Sequence, residues 1–237
     1  ETGDKVVVAL PGPPRELRPM WRDHVLPRLQ AHGLGLDRAV TTLHLTGIGE
    51  SMVVDVIGSD LLQAENPRMA TYARPDFVDL RVSAVGDGAS TAEELVAAAV
   101  ASLSPRIDPY VFGRDDDDWP IALGARLADR TLAVAEAGTA GYLGLLLGTG
   151  SFLVHAEQRP GAVDAVALAR EVRAHAGADV GLAAVAAEVG DDMRVEIGLA
   201  IGDETEVASR TAFRGGDTGR RRAANLAATE LWRRLSA

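Results

Sequence analysis

The segment LAVAEAGTAGYLGLLLGTGSF, Leu132 to Phe152, sets a carboxylate, a hydroxyl, glycines and an aromatic ring where a strand runs into a helix. Gly138 and Gly141 permit close backbone approach, and helix amides beside them can accept a phosphate. A tight strand-to-helix turn needs the same glycines. Glu136, at the strand end, is placed to hold a ligand hydroxyl, as acids hold ribose in dinucleotide folds, or to cap the helix together with Thr139. Tyr142 can stack on a base or simply pack. Ser151 and His155 bring a nucleophile and a general base within reach of one another in sequence. Residues four apart on a strand share a face but stand about 13 Å apart, so contact would need a turn between them. The plainer alternative is a strand-end serine and a surface histidine. Arg214, Asp217 and Arg220 are a candidate phosphate group or else exposed loop charge. Asp115 to Asp118 read as a solvated linker, because adjacent carboxylates oppose burial without a cation. No metal site is expected.

These residues belong to a chain of 237 residues, 47% hydrophobic and 24% charged. That is enough for one large domain or two small ones. The apolar runs are interrupted well before about 18 residues, so no membrane span or membrane partner is expected, and no signal peptide is recognisable. Cysteine is absent, which removes disulfides, thiolate zinc sites and thiol catalysis and fits a cytoplasmic location. The net charge of −10 opposes binding to nucleic acid. The arginines at 220–222, 233 and 234 read as a solvated helix face. Lys5 is the only lysine, and arginine, which stays protonated, cannot replace it as a general base.

The expected order of elements begins with a buried-type strand, Val6 to Leu10, a Pro-Gly-Pro-Pro turn and an amphipathic helix from about Arg15. Such a strand needs a sheet, which suggests a fragment or a lost leading domain. From Asp37 to Arg114, AVTTLHLTGIG reads as a strand, ESMVVDVIGSDLLQ as one helix begun by Glu50 and Ser51, FVDLRVSAVG as a strand flanked by Asp76 and Asp79, TAEELVAAAVASLSPRI as a helix with a capping box at Thr91 and Glu94, and YVFG as a short strand. This is a small α+β unit. Beyond Trp119 and Pro120, helices and strands alternate: PIALGARLADR, TLAVAEAG, TAGYLGLLLG, SFLVHAEQ, AVDAVALAREVRAHAG and ADVGLAAVAAEV. A hairpin, MRVEIGLAIGDETEVASRTAFR, and a closing helix, GRRRAANLAATELWRRL, complete a layered α/β domain.

With these elements in order, the sequence resembles the CinA family, named for competence and damage induction. LPGPPREL is similar to the segment near the end of that family's molybdopterin-binding-type (MoCF) domain, with Leu17 in place of methionine. LTGIGES resembles the opening of its KH-like middle domain, and NPRMATYARPDFVDLRVSA that domain's signature. LAVAEAGTAGYLG resembles the Ala-Glu-Ser-x-Thr-Gly-Gly segment of its C-terminal domain, and ADVGLAAV, VEIGLAI and FRGGDTGRRRAANLAATELW follow in family order. The resemblance implies an α/β fold in three parts. They are a MoCF remnant over 1–36, a KH-like α+β domain over 37–115 and a layered αβα C-terminal domain over 116–237. It also implies pyridine-nucleotide salvage: metal-dependent hydrolysis of ADP-ribose in the family's N-terminal domain, and deamidation of nicotinamide mononucleotide in its C-terminal domain.

Amide hydrolysis needs a nucleophile, a group to deprotonate it and donors for the oxyanion. In the family a Ser–Tyr–Lys set supplies the first two. Here Gly150 and Ser151 fit the start of that segment, but Phe152 stands where its second serine would be, no tyrosine follows Tyr142, and no lysine follows Lys5. Ala137 and Ala140 replace a serine and a glycine of the family motif, and Val185 to Glu188 replace a glycine-rich turn. The expectation is a CinA-type chain whose C-terminal domain keeps the fold without the catalysis. It would be structural and homodimeric, or would bind a nucleotide (nicotinamide mononucleotide or ADP-ribose) through Glu136, Gly138, Thr139, Gly141, Tyr142, Arg214, Asp217 and Arg220. No cofactor is expected in this chain; a divalent metal is implied only for the family's N-terminal domain. The alternatives are an amidohydrolase with relocated groups, Ser151 and His155, or pyrophosphatase activity carried by the leading domain.

Overall fold

The computed structural model describes residues 6–33, 37–161 and 164–236. Val6 to Leu10 form no strand. A strand exists only through pairing, and among the described residues none lies alongside; Val7 is 81% exposed. Two short helices follow, α1 (Pro14–Met20) and α2 (Leu26–Ala31), joined by a π-helical turn over Trp21–Val25. None of the three buries a residue. Lys5 and the expected boundary at 36 lie outside the described residues.

The first sheet is four-stranded and antiparallel, in the order β2 (Arg68–Ala73), β3 (Val78–Val85), β1 (Arg38–Leu45), β4 (Val111–Arg114). Leu43, Leu45, Leu80 and Val82 of its central strands are fully buried. They pack with Val96, Val100 and Leu103 of α5 (Ala92–Ile107) and Val53 and Ile57 of α3 (Glu50–Ile57). The Thr91–Glu94 capping box is formed as expected. Two expectations change. The apolar run from Glu50 is two helices, α3 and α4 (Ser59–Leu62), because Gly58 takes φ +90° and breaks the path. Asp79 lies within β3 rather than beside it, and β2 was not foreseen.

Asp118 caps α6 (Trp119–Leu127) by accepting from the Ile121 N–H at 3.0 Å, and the second domain begins there. Its sheet runs β6 (Leu153–Gln158), β5 (Leu132–Ala137), β7 (Val180–Val189), β8 (Asp192–Ile201), β9 (Glu204–Ala212). The first three strands are parallel and the last two antiparallel additions. Every residue of β5 is buried, as a strand covered on both faces requires. One face packs α6, α7 (Tyr142–Leu147) and α9 (Gly216–Arg234) through Leu123, Leu143, Leu147 and Leu231. The other packs α8 (Ala165–Ala176) on small residues, Ala133, Ala135, Ala183 and Ala200. A Cβ added at Gly198 would stand 2.0 Å from the Ala165 carbonyl oxygen, and one at Gly181 2.1 Å from that of Ala169. Ala162 and Val163, before α8, lie outside the described residues. The domain is thus a three-layer αβα sandwich.

The two domains share a seam. Phe112 of β4 stacks on Trp119 at 4.2 Å and 7°, inside the core of the second domain. The Trp119 indole N–H donates to Asn225 Oδ1 at 2.6 Å, the Thr46 and Thr229 hydroxyls meet at 2.6 Å, and Arg222 Nε donates to the Pro75 carbonyl at 2.9 Å.

Candidate functional site

The turn from β5 into α7 is the one that sequence singled out. Gly138 has φ +77°, and a Cβ there would come within 1.9 Å of the Ala186 carbonyl oxygen, so the turn is pressed against β7. Gly141, at φ +86°, is the residue from which α7 starts. Glu136 is 3% exposed. Its carboxylate accepts from the Leu143 N–H at 3.1 Å, from the Gly144 N–H at 3.0 Å and from the Thr139 hydroxyl. The Tyr142 N–H pairs with the Thr139 carbonyl at 3.2 Å. The first amides of α7, which carry the helix's partial positive charge, are therefore satisfied from within the chain. Of the two roles open to Glu136, the geometry is that of the cap.

Tyr142 is turned toward α9. Its hydroxyl donates to Asp217 Oδ1 at 2.6 Å, and the Arg221 guanidinium stands 5.8 Å from its ring. The hydrogen bond to Asp217, then desolvation, pushes the phenol above the ordinary tyrosine range. It remains a donor at neutral pH and is no base for a serine. Arg220 reaches Glu188 at 4.0 Å, and the Arg214 amide donates to Asp192 at 2.7 Å. Arg214 has φ +70°. Asp217, Arg220 and Arg214 thus gather around the start of α9, with Asp217 bridging to α7.

Ser151 and His155 are not brought together. Ser151 is exposed in the turn before β6. His155, in β6, meets Glu157 at 3.2 Å and stacks edge-on with His175 of α8 at 5.3 Å. Among the described residues no hydrogen bond reaches the Ser151 hydroxyl, so no base activates it. Ser151 stays in that turn, while His155 is the third residue of the strand beyond it and is directed to Glu157 and His175.

The acid run is an ordered linker. Asp115 accepts from the Thr42 amide and the Thr41 hydroxyl, Asp117 from the Arg114 amide, and Asp118 caps α6. Among the described residues no group of three or more His, Asp or Glu converges to hold a metal ion.

Two polar clusters escaped the sequence reading. His44 is buried with Nδ1 2.7 Å from Asp79 and Nε2 2.9 Å from the Asp115 carbonyl, and Arg74 donates to Asp79 at 2.6 Å. Beside it lies a cavity of about 600 Å³ between the two domains, bounded by His44, Phe77, Trp119, Tyr142, Leu146 and Asp76. Asp76 Oδ1 is buried without a hydrogen-bond partner among the described residues. Burial pushes its carboxyl above the ordinary range, against the pull of Arg221 and Arg222. A carboxyl raised in the native state favours folding fully only below its unfolded pKa. That advantage is lost as pH rises through the native value. Asp76→Asn should therefore gain stability at pH 7, by under about 1 kcal/mol because the group is partly solvated, and should show a flatter pH dependence above pH 4. Urea midpoints at pH 4 and pH 7 check this, and a loss at pH 7 would contradict it.

The fold and these sites define a class: an α+β domain of KH type seated on a three-layer αβα domain. Residues 40–113 match the model of the damage-inducible protein CinA KH domain. A CinA-like protein of Deinococcus radiodurans is 46% identical over 147 residues, covering 62% of this chain and 36% of that protein. Another, from Deinococcus deserti, is 40% identical over 210 residues, covering 80% and 52%. A crystal structure of a competence-damaged protein (CinA) superfamily protein from Enterobacter cloacae is 21% identical with a TM-score of 0.43, covering 51% of this chain and 95% of that one. The chain belongs to the CinA family. It spans about a third to a half of the length of these curated relatives. No helix among the described residues is long and apolar enough to cross a membrane.

Proposed function

We propose that the C-terminal domain is an amidase-type fold without amide hydrolysis, serving as a structural, subunit-joining domain within a cytoplasmic CinA protein of pyridine-nucleotide salvage. The observation that carries this reading is Ser151: among the described residues no hydrogen bond reaches its hydroxyl, and His155, the base nearest in sequence, is turned to Glu157. The inventory agrees. Ser151 has no base, Tyr142 is held protonated by Asp217, and the only lysine is Lys5.

Nucleotide binding is the second reading, favoured by Arg214, whose guanidinium has no ion pair or hydrogen bond among the described residues although Asp217 and Arg220 stand close in sequence. Incubation with nicotinamide mononucleotide and an ammonia assay test the first reading: no release above the enzyme-free blank is expected, and sustained turnover would refute it. Calorimetric titration with nicotinamide mononucleotide and with ADP-ribose separates the two readings. Heat from either that vanishes in Arg214→Ala favours the second.

A further inference from the structure

The cavity between the domains is built from both. Phe77 comes from the β2–β3 turn, Trp119 from the first turn of α6, Tyr142 and Leu146 from α7 and Arg221 from α9. Phe77 and Tyr142 are half-buried and both line it. The five carboxylates that line it, Asp76 and Asp115 to Asp118, outnumber its one guanidinium, Arg221. Such a lining repels phosphates and attracts cations. Three carboxylates of the linker already serve backbone amides, so the acid run supplies field rather than contacts. Asp76 differs: among the described residues its Oδ1 has no hydrogen-bond donor. An unsatisfied buried acceptor is costly, and what it lacks is an N–H or O–H donor. Aromatic faces beside a carboxylate are the surroundings in which a cationic head on an apolar body is held by both charge and ring quadrupole.

We propose that this interdomain cavity binds an organic cation, an ammonium or amidinium on an apolar body, its head donating to Asp76 and its body lying against Phe77, Tyr142 and Leu146. The position has a consequence for the domains. A ligand there touches both sides of the seam and favours the docked arrangement by its binding energy.

The test is calorimetric titration of the whole chain with benzamidine and phenethylamine, and with benzoate and benzyl alcohol as anionic and neutral counterparts of similar size. One-to-one binding of the two cations is expected, with benzoate silent and benzyl alcohol at least about tenfold weaker. Asp76→Asn should weaken cation binding by about tenfold or more while its unfolding midpoint does not fall, which separates a lost contact from a damaged fold. Phe77→Ala should weaken all three apolar probes. Binding of benzoate as tight as benzamidine, unchanged affinity in Asp76→Asn, or no heat from either cation at about 10 mM, weaker than a useful small-ligand site, would each overturn the proposal.

Discussion

Glu136→Ala is expected to lose about 3–5 kcal/mol of folding stability. The substitution removes one acceptor and strands three donors together: the Leu143 and Gly144 amides and the Thr139 hydroxyl. Thr139 is fully buried, and water cannot take the carboxylate's place without opening the turn. Each stranded buried donor costs about 1–3 kcal/mol, and their shared turn makes the costs less than additive. Glu136→Gln keeps one acceptor oxygen but turns an NH₂ toward a donor, so a loss of about 2 kcal/mol is expected. Urea unfolding with linear extrapolation measures both. A loss below about 1 kcal/mol in the alanine variant would mean that the carboxylate is free for another role.

Trp119→Ala is expected to cost about 3–5 kcal/mol and, more tellingly, to split one unfolding transition into two. The indole is 3% exposed, stacks on Phe112 of the first domain and donates to Asn225 of α9. Truncation removes a stacked apolar contact across the seam and leaves Asn225 Oδ1 without its donor. Among the described residues, the hydrogen bonds that remain across the seam include Thr46 to Thr229 and Arg222 to Pro75, worth about 1 kcal/mol apiece. Differential scanning calorimetry and far-ultraviolet circular dichroism check this. A single cooperative transition, merely lowered, would show that the domains remain one unit without the stack.

Much of the fold was legible because local rules and burial agree in it. The capping box at Thr91 and Glu94, the continuous apolar run of β5 and the polar–apolar alternation of β3 each follow from the environment that the element occupies. β2 was missed because it is short, lies at the sheet edge and is framed by Pro67 and Pro75, which read as loop. The break at Gly58 was missed because the apolar residues on either side continue at helical spacing. Val6 to Leu10 carry a strand's composition, but composition cannot supply a neighbour to pair with. At the candidate site, the residue types around Glu136 gave two roles in balance. What decides between them is the path of the chain, which folds the amides seven and eight residues onward back over the carboxylate. The interdomain cavity left no sequence signal, since His44, Asp76, Trp119, Tyr142 and Arg221 meet only after both domains have docked.

The seam also orders events during synthesis. Thr46 and Thr229 are 183 positions apart, and Pro75 and Arg222 147. A ribosome has therefore finished the first sheet about a hundred residues before α9 emerges, an interval of about 5–20 s at ordinary elongation rates. Through that interval the Thr46 hydroxyl lacks its partner Thr229. The domain of the first sheet must hold its shape as a free-standing body until α9 leaves the tunnel and covers it.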